Sequence, residues 1–137
     1  MEVRNQIKEF MEPKSVALIG ISSKVGKGSL NILENLIQIG FKGKIYPINP
    51  KIQELLGQKV FPDVASISEK IDLAVIMTSR QIVPKVLEQC AKKNIESVLI
   101  ITQGFAEADD EGKALQLKMD QIIQKTKVRC LAQTLLE

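Results

Sequence analysis

Glycine, serine and lysine crowd one stretch of the chain: Gly20, Ser22, Ser23, Lys24, Gly26, Lys27 and Gly28. Glycines let a backbone approach phosphate oxygens without a Cβ in the way. The serine hydroxyls add hydrogen-bond donors, and the lysines add positive charge. An apolar run, Ser15 to Ile19, precedes the stretch and a helical pattern follows it. Backbone amides therefore fall where a helix begins, which is where a diphosphate binds. The plain alternative is a strand-to-helix turn that happens to hold glycine, because the spacing Gly20, Gly26, Gly28 departs from a regular G-x-G-x-x-G.

A second candidate is Asn49-Pro50-Lys51, at the end of the next apolar run. Pro50 fixes the chain there, and Asn49 can hydrogen-bond a ribose or phosphate. An acid at this place would favour the ribose diol of NAD. A lysine instead suits a ribose that carries its own phosphate, and coenzyme A is such a ligand. A turn with an exposed lysine is the simpler reading. Thr78-Ser79-Arg80 follows another buried run, and Ser79 is placed to cap the next helix. In Thr102-Gln103-Gly104-Phe105-Ala106-Glu107, a glycine before an aromatic suggests a tight turn lining a channel for an extended ligand arm. Glu107 precedes a helix, where acids ordinarily serve the dipole, so no residue is assigned a catalytic role.

Absences narrow the chemistry further. The chain has no histidine, which removes histidine acid–base catalysis, histidine metal sites and phosphohistidine relays from these 137 residues. Cys90 and Cys130 have no metal-type or redox-type spacing and read as reduced thiols of a cytoplasmic protein. Aromatic residues are 4% and the net charge is +3, too little stacking surface and too little charge to argue for nucleic acid. No apolar stretch is long enough to span a bilayer, and the polar, charged start does not read as a signal peptide.

The elements that must position these residues alternate along the chain. A short helix is expected over residues 3 to 11, ended by Pro13, and a buried strand over Ser15 to Ile19. Ser29 to Ile39 reads as a helix closed by Gly40, and Lys44 to Ile48 as the next strand. Lys51 to Leu56 suggests one or two helical turns, Lys59 to Phe61 a small strand, and Ser66 to Glu69 a short turn or helix. Leu73 to Met77 and Ser97 to Thr102 are further strands, with a helix over Gln81 to Lys93 between them. A long helix over Asp109 to Lys127 and a last strand over Val128 to Leu131 complete the pattern. Such alternation predicts a parallel sheet with helices on both faces and the ligand at the carboxyl ends of the strands.

The order PKSVALIG, GKIYPINPK, LGQKVFPDV, IDLAVIMTSRQIVPKVLEQC, ITQGFAE resembles the N-terminal CoA-binding domain of the ADP-forming acyl-CoA synthetases. Those are relatives of the succinyl-CoA synthetase α subunit. The resemblance runs from about Phe10 to Leu131 and implies one Rossmann-like, doubly wound domain over residues 1–137. It implies that Gly20, Ser22, Lys24, Gly26, Lys27, Asn49 and Lys51 hold the nucleotide part of CoA or acyl-CoA. The pantetheine arm would pass Thr78 and the Gln103-Gly104 loop. Ser23, Gly28 and Pro50 complete the expected binding set. The parent activity would be that of an acetate–CoA ligase type of enzyme.

The end of the chain departs from the family pattern. A Leu-Gly-Pro-Asn motif is expected after the last strand, followed by a ligase domain with a phosphorylated histidine and an ATP-grasp unit. The sequence instead reads Arg129-Cys130-Leu131-Ala132-Gln133-Thr134-Leu135-Leu136-Glu137. If Cys130 to Leu135 is encoded TGC-TTG-GCC-CAA-ACA-CTT, one restored G ahead of it gives Val-Leu-Gly-Pro-Asn-Thr. The expectation is therefore a frameshifted first domain, which the coding DNA tests. Such a domain would bind CoA without being an enzyme by itself. Its partners would be the missing ligase and ATP-grasp parts, or a second copy of itself. Two rival readings stay open: an NAD(P)-binding domain of a redox sensor or dehydrogenase fragment, and a ligand-free interaction module.

Overall fold

A computed structural model describes residues 12–22, 31–102, 105 and 108–132. The readings that fall on residues 3–11, on Ser23, Lys24, Gly26, Lys27, Gly28, Gln103, Gly104 and Glu107, and on residues 133–137 lie outside the described residues.

Five short strands form one parallel sheet: β1 (Ser15–Ile19), β2 (Lys44–Ile48), β5 (Leu73–Ile76), β6 (Ser97–Ile100) and β7 (Arg129–Ala132). Between β2 and β5 lies a small antiparallel hairpin, β3 (Glu54–Leu55) and β4 (Gln58–Lys59). The sheet order is β2-β1-β5-β6-β7. Phe61 adds a single parallel bridge outside Ile48. With it, the order across the sheet is the 3-2-1-4-5-6 of a Rossmann-like fold, its third strand reduced to one residue.

Side chains alternate across the sheet with the two-residue period of a strand. Ala17, Ile19, Ala74, Ile76, Val98 and Ile100 face one core, with α2 (Val83–Lys92) and α3 (Asp110–Lys125) packed over it. Val16, Leu18, Leu73 and Val75 face the other, under Leu33 of α1 (Ile32–Gln38). Helices on opposite faces follow from right-handed crossovers, because β1 to β2 runs one way across the sheet and β5 to β6 to β7 the other.

The helices end as their sequences require. Gly40, at φ 75, closes α1, with Phe41 N–H donating to the Leu36 carbonyl and Gly40 N–H to that of Ile37. Asn94, at φ 64, closes α2 in the same way, through Ile95 to Cys90 and Asn94 to Ala91. Asp109 caps α3 by accepting from Gly112 N–H at 2.7 Å.

Several local expectations are corrected. The helix expected from Ser29 is described from Ile32, with extended Asn31 as its cap through the Glu34 amide. The helical turns expected after Lys51 are a hairpin, because Leu56 and Gly57 both take positive φ, the geometry of a two-residue turn between twisted strands. The short turn near Ser66 begins earlier, as a 3-10 turn over Val64–Ser66 capped by Asp63. The Ser79 hydroxyl does not cap α2: its cap position is Ile82, which makes no side-chain cap bond, while the Ser79 carbonyl accepts from Ile82 N–H.

Candidate functional site

The register levels the carboxyl ends of the strands. Ile19 pairs with both Ile48 and Ile76, and Ile76 with Ile100. The residues that follow, Gly20, Asn49, Met77 and Ile101, thus stand in one row. The strand order reverses around β1, and in open sheets of this kind ligands bind at that switch point. Gly20 and Thr78 occupy it.

Gly20 turns the chain at φ 89 and runs close against Thr78. Its N–H and that of Ile21 both donate to the Ile48 carbonyl, at 3.0 and 3.3 Å. These first amides are therefore committed to β2. Ile21 is buried, and Ser22 is exposed with its carbonyl held by Asn31 Nδ2 at 2.8 Å. Asn49 is half-buried, while Pro50 and Lys51 are exposed at the end of β2. Asn49 Nδ2 donates to the Ile21 carbonyl and Asn49 Oδ1 accepts from Lys51 N–H, both at 2.8 Å. The Thr78 carbonyl accepts from Thr102 Oγ1 at 2.6 Å, which links the loops after β5 and β6.

A cleft of about 300 Å³ opens beside this row. Gly20, Pro50 and Thr78 of the expected set line it, together with Ile19 and Ile48. Its far wall is Pro62, Asp63 and Val64 with Ile82, Lys85, Val86 and Gln89 of the α2 side. The sequence reading missed that wall, although Pro62 and Asp63 carry turn chemistry that marks a chain reversal there. The lining is mainly apolar, with polar groups at a few points, as small-molecule sites usually are. A larger groove of about 420 Å³ runs between α2 and α3, lined by Pro84, Leu115, Ile122 and several lysines. No strand end lines it, so the switch-point cleft is the better candidate.

Arg80 does not face the cleft as an open cation. Its guanidinium forks onto both Asp109 oxygens at 2.8 and 3.0 Å and onto Glu111 at 2.9 Å. The Asp109 hydrogen bonds raise the guanidinium's affinity for its proton, and the same bonds hold the Asp109 carboxyl below the usual range. The fork ties the loop after β5 to the start of α3.

The two thiols belong to the core rather than to the site, Cys90 buried in it and Cys130 half-buried against it. Burial pushes Cys90 up to about 12, helped by Cys130, and burial pushes Cys130 up to about 12 as well. Among the described residues no group of His, Cys, Asp and Glu is arranged to hold a metal ion, and no helix is long and apolar enough to cross a membrane.

Comparisons with known proteins agree with this geometry. A family model described as "CoA binding domain" matches residues 14–134. The ADP-forming acetate–CoA ligase II of Archaeoglobus fulgidus is 39% identical over 123 residues, covering 90% of this chain and 18% of the ligase. The α subunit of ADP-forming acetate–CoA ligase I of Pyrococcus furiosus is 40% identical over 129 residues, covering 91% of this chain and 28% of the subunit. Among solved structures, acetyl-coenzyme A synthetase 1 of Ca. Korarchaeum cryptofilum, in complex with phosphate and ADP, superposes with a TM-score of 0.82 at 34% identity. That match covers 93% of this chain and 27% of the synthetase chain. This chain therefore corresponds to less than a third of each of these relatives. By family match, identity and fold, it belongs to the CoA binding domain family.

Proposed function

We propose that the switch-point edge holds the nucleotide end of CoA or acyl-CoA, as the binding domain of an ADP-forming acyl-CoA synthetase. The observation that carries the reading is the shared level of Gly20 and Asn49, with Thr78 just past Met77 against Gly20 and Lys51 just past the end of β2. At that place an NAD site has an acid, and here an ammonium group is available for a phosphorylated ribose. The apolar walls of the cleft suit a flat base, and Lys85 and Gln89 at its α2 side supply polar contacts. Ser23, Lys24, Gly26, Lys27 and Gly28 belong to the reading through charge and donors, and Gln103 and Gly104 through the pantetheine arm.

The parent reaction would be acyl-CoA + ADP + phosphate ⇌ acid + ATP + CoA. Its bond-making groups would lie in ligase and ATP-grasp parts outside these residues, and this domain would orient the coenzyme. Two free thiols, Cys90 buried and Cys130 half-buried, favour a reducing, cytoplasmic setting. Calorimetric titration of the 137-residue chain with CoA, dephospho-CoA, NADPH and NADH tests the reading. CoA should bind most tightly. Preference for either nicotinamide coenzyme, or no binding of any of the four, would overturn it.

A further inference from the structure

Asn49 stands where a dinucleotide site turns an acid toward the ribose, yet its side chain is turned into the protein. One end of the carboxamide donates to the Ile21 carbonyl, 28 residues earlier in the chain, and the other accepts from Lys51 N–H, each at 2.8 Å. Its own backbone N–H donates to the Phe61 carbonyl at 3.0 Å. Three neighbouring segments therefore meet on one residue: the exit of β1, the turn into Lys51, and the chain beside β2. Asn31 performs a matching task on the next carbonyl, holding Ser22 with Nδ2 while its Oδ1 caps Glu34. Two successive carbonyls, Ile21 and Ser22, are gripped by two different carboxamides just where the glycine-rich stretch begins.

A carboxamide offers a donor and an acceptor on opposite sides, and both sides are used here. Serine, threonine and alanine are too short to span the same two groups. Aspartate keeps an oxygen for Lys51 N–H but sets a second oxygen against the Ile21 carbonyl. Resting on the reading of this edge as a CoA site, we infer that Asn49 is a positioning residue that couples the exit of β1 to the backbone of Lys51. It thereby fixes where the Lys51 ammonium meets the ribose phosphate.

The test separates this role from direct contact and from simple support of the fold. CoA and dephospho-CoA are titrated into the wild-type chain and into Asn49→Ala, and amide exchange at Lys51 is followed in the free proteins. The wild type should prefer CoA; absence of that preference would overturn the CoA reading and this inference together, from the wild-type arm alone. With the preference present, Asn49→Ala should compress it by about 2- to 5-fold, a part of what the exposed Lys51 contact itself is worth. Its Lys51 amide should exchange faster. An unchanged ratio, or a changed ratio with unchanged exchange at Lys51, would sink the coupling role. Should the alanine variant fail to fold, Asn49→Asp decides: slow exchange at Lys51 supports the retained acceptor, and fast exchange overturns it.

Discussion

Gly20 and Thr78 press together so closely that a β-carbon on the glycine would lie 2.9 Å from Thr78 Cγ2 and 3.0 Å from Thr78 N. The same carbon would lie 3.1 Å from the Met77 carbonyl carbon. The glycine is thus required by the neighbouring strand end, and its φ of 89 requires it again.

Gly20→Ala should therefore destabilise the domain by about 2–4 kcal/mol, combining left-handed strain with overpacking. Urea unfolding measures the loss. Thr78→Ser, which removes Cγ2, should recover the smaller part of it, because two of the three close approaches are to backbone atoms. Full recovery in the double variant would show that the side chain alone sets the requirement.

Lys51→Ala should weaken CoA by about 3- to 10-fold and leave dephospho-CoA nearly unchanged. The modest size follows from the exposure of Lys51, where solvent screens an ion pair. Equal losses for both ligands would place the lysine on the diphosphate instead of the ribose phosphate.

Leu56 holds φ 51 in the hairpin turn and is partly exposed. Leu56→Asn should raise stability by about 0.5–1 kcal/mol, since asparagine accepts that conformation at lower cost. A lower urea midpoint in the variant would mean that the leucine's packing outweighs its strain.

Both thiols are pushed up to about 12 in the folded chain. Unfolded cysteines ionise near about 8.5, so the folded state keeps protons that the unfolded state releases. Stability should be full below that value and decline as pH rises toward 12. At pH 8, a disulfide reagent such as DTNB should react slowly with the native chain and rapidly in urea. Fast native labelling would contradict the burial.

The Arg80 fork holds Asp109 below the usual carboxylate range. A lowered carboxyl stabilises above its unfolded value, and the contribution is lost as pH falls through the folded one. Wild-type melting temperature should drop across the acid range, below about pH 4. Arg80→Ala should flatten that drop, and an unchanged acid profile would show the fork to be without thermodynamic weight.

Strands β1, β5 and β6 were legible because burial on both faces leaves short apolar or β-branched runs unbroken. Strands β2 and β7 open on exposed Lys44 and Arg129 and were legible from the apolar residues that follow. The ends of α1 and α2 were legible for a different reason: Gly40 and Asn94 suit the left-handed position that closes a helix. The hairpin was hidden by Leu56, a residue whose side chain argues against the conformation its neighbours impose. Asn49 was rightly placed at the strand end, but no local pattern reveals that its carboxamide is taken by Ile21 and Lys51. That Cys90 and Cys130 share one core was equally invisible, since it depends on α2 and β7 contributing to the same face of the sheet. The wall formed by Pro62, Asp63 and Val64 needed the hairpin first.

Backbone direction along β2 has a further result for self-association. Ile48 faces β1, so Ile45, Pro47 and Asn49 point their backbone groups outward. Proline carries no N–H, and Asn49's is held by Phe61. A foreign strand seeking to extend the sheet there meets the N–H and carbonyl of Ile45 and little else, beside the exposed charge of Lys44. The vestigial third strand thus acts as a guard against edge-on polymerisation.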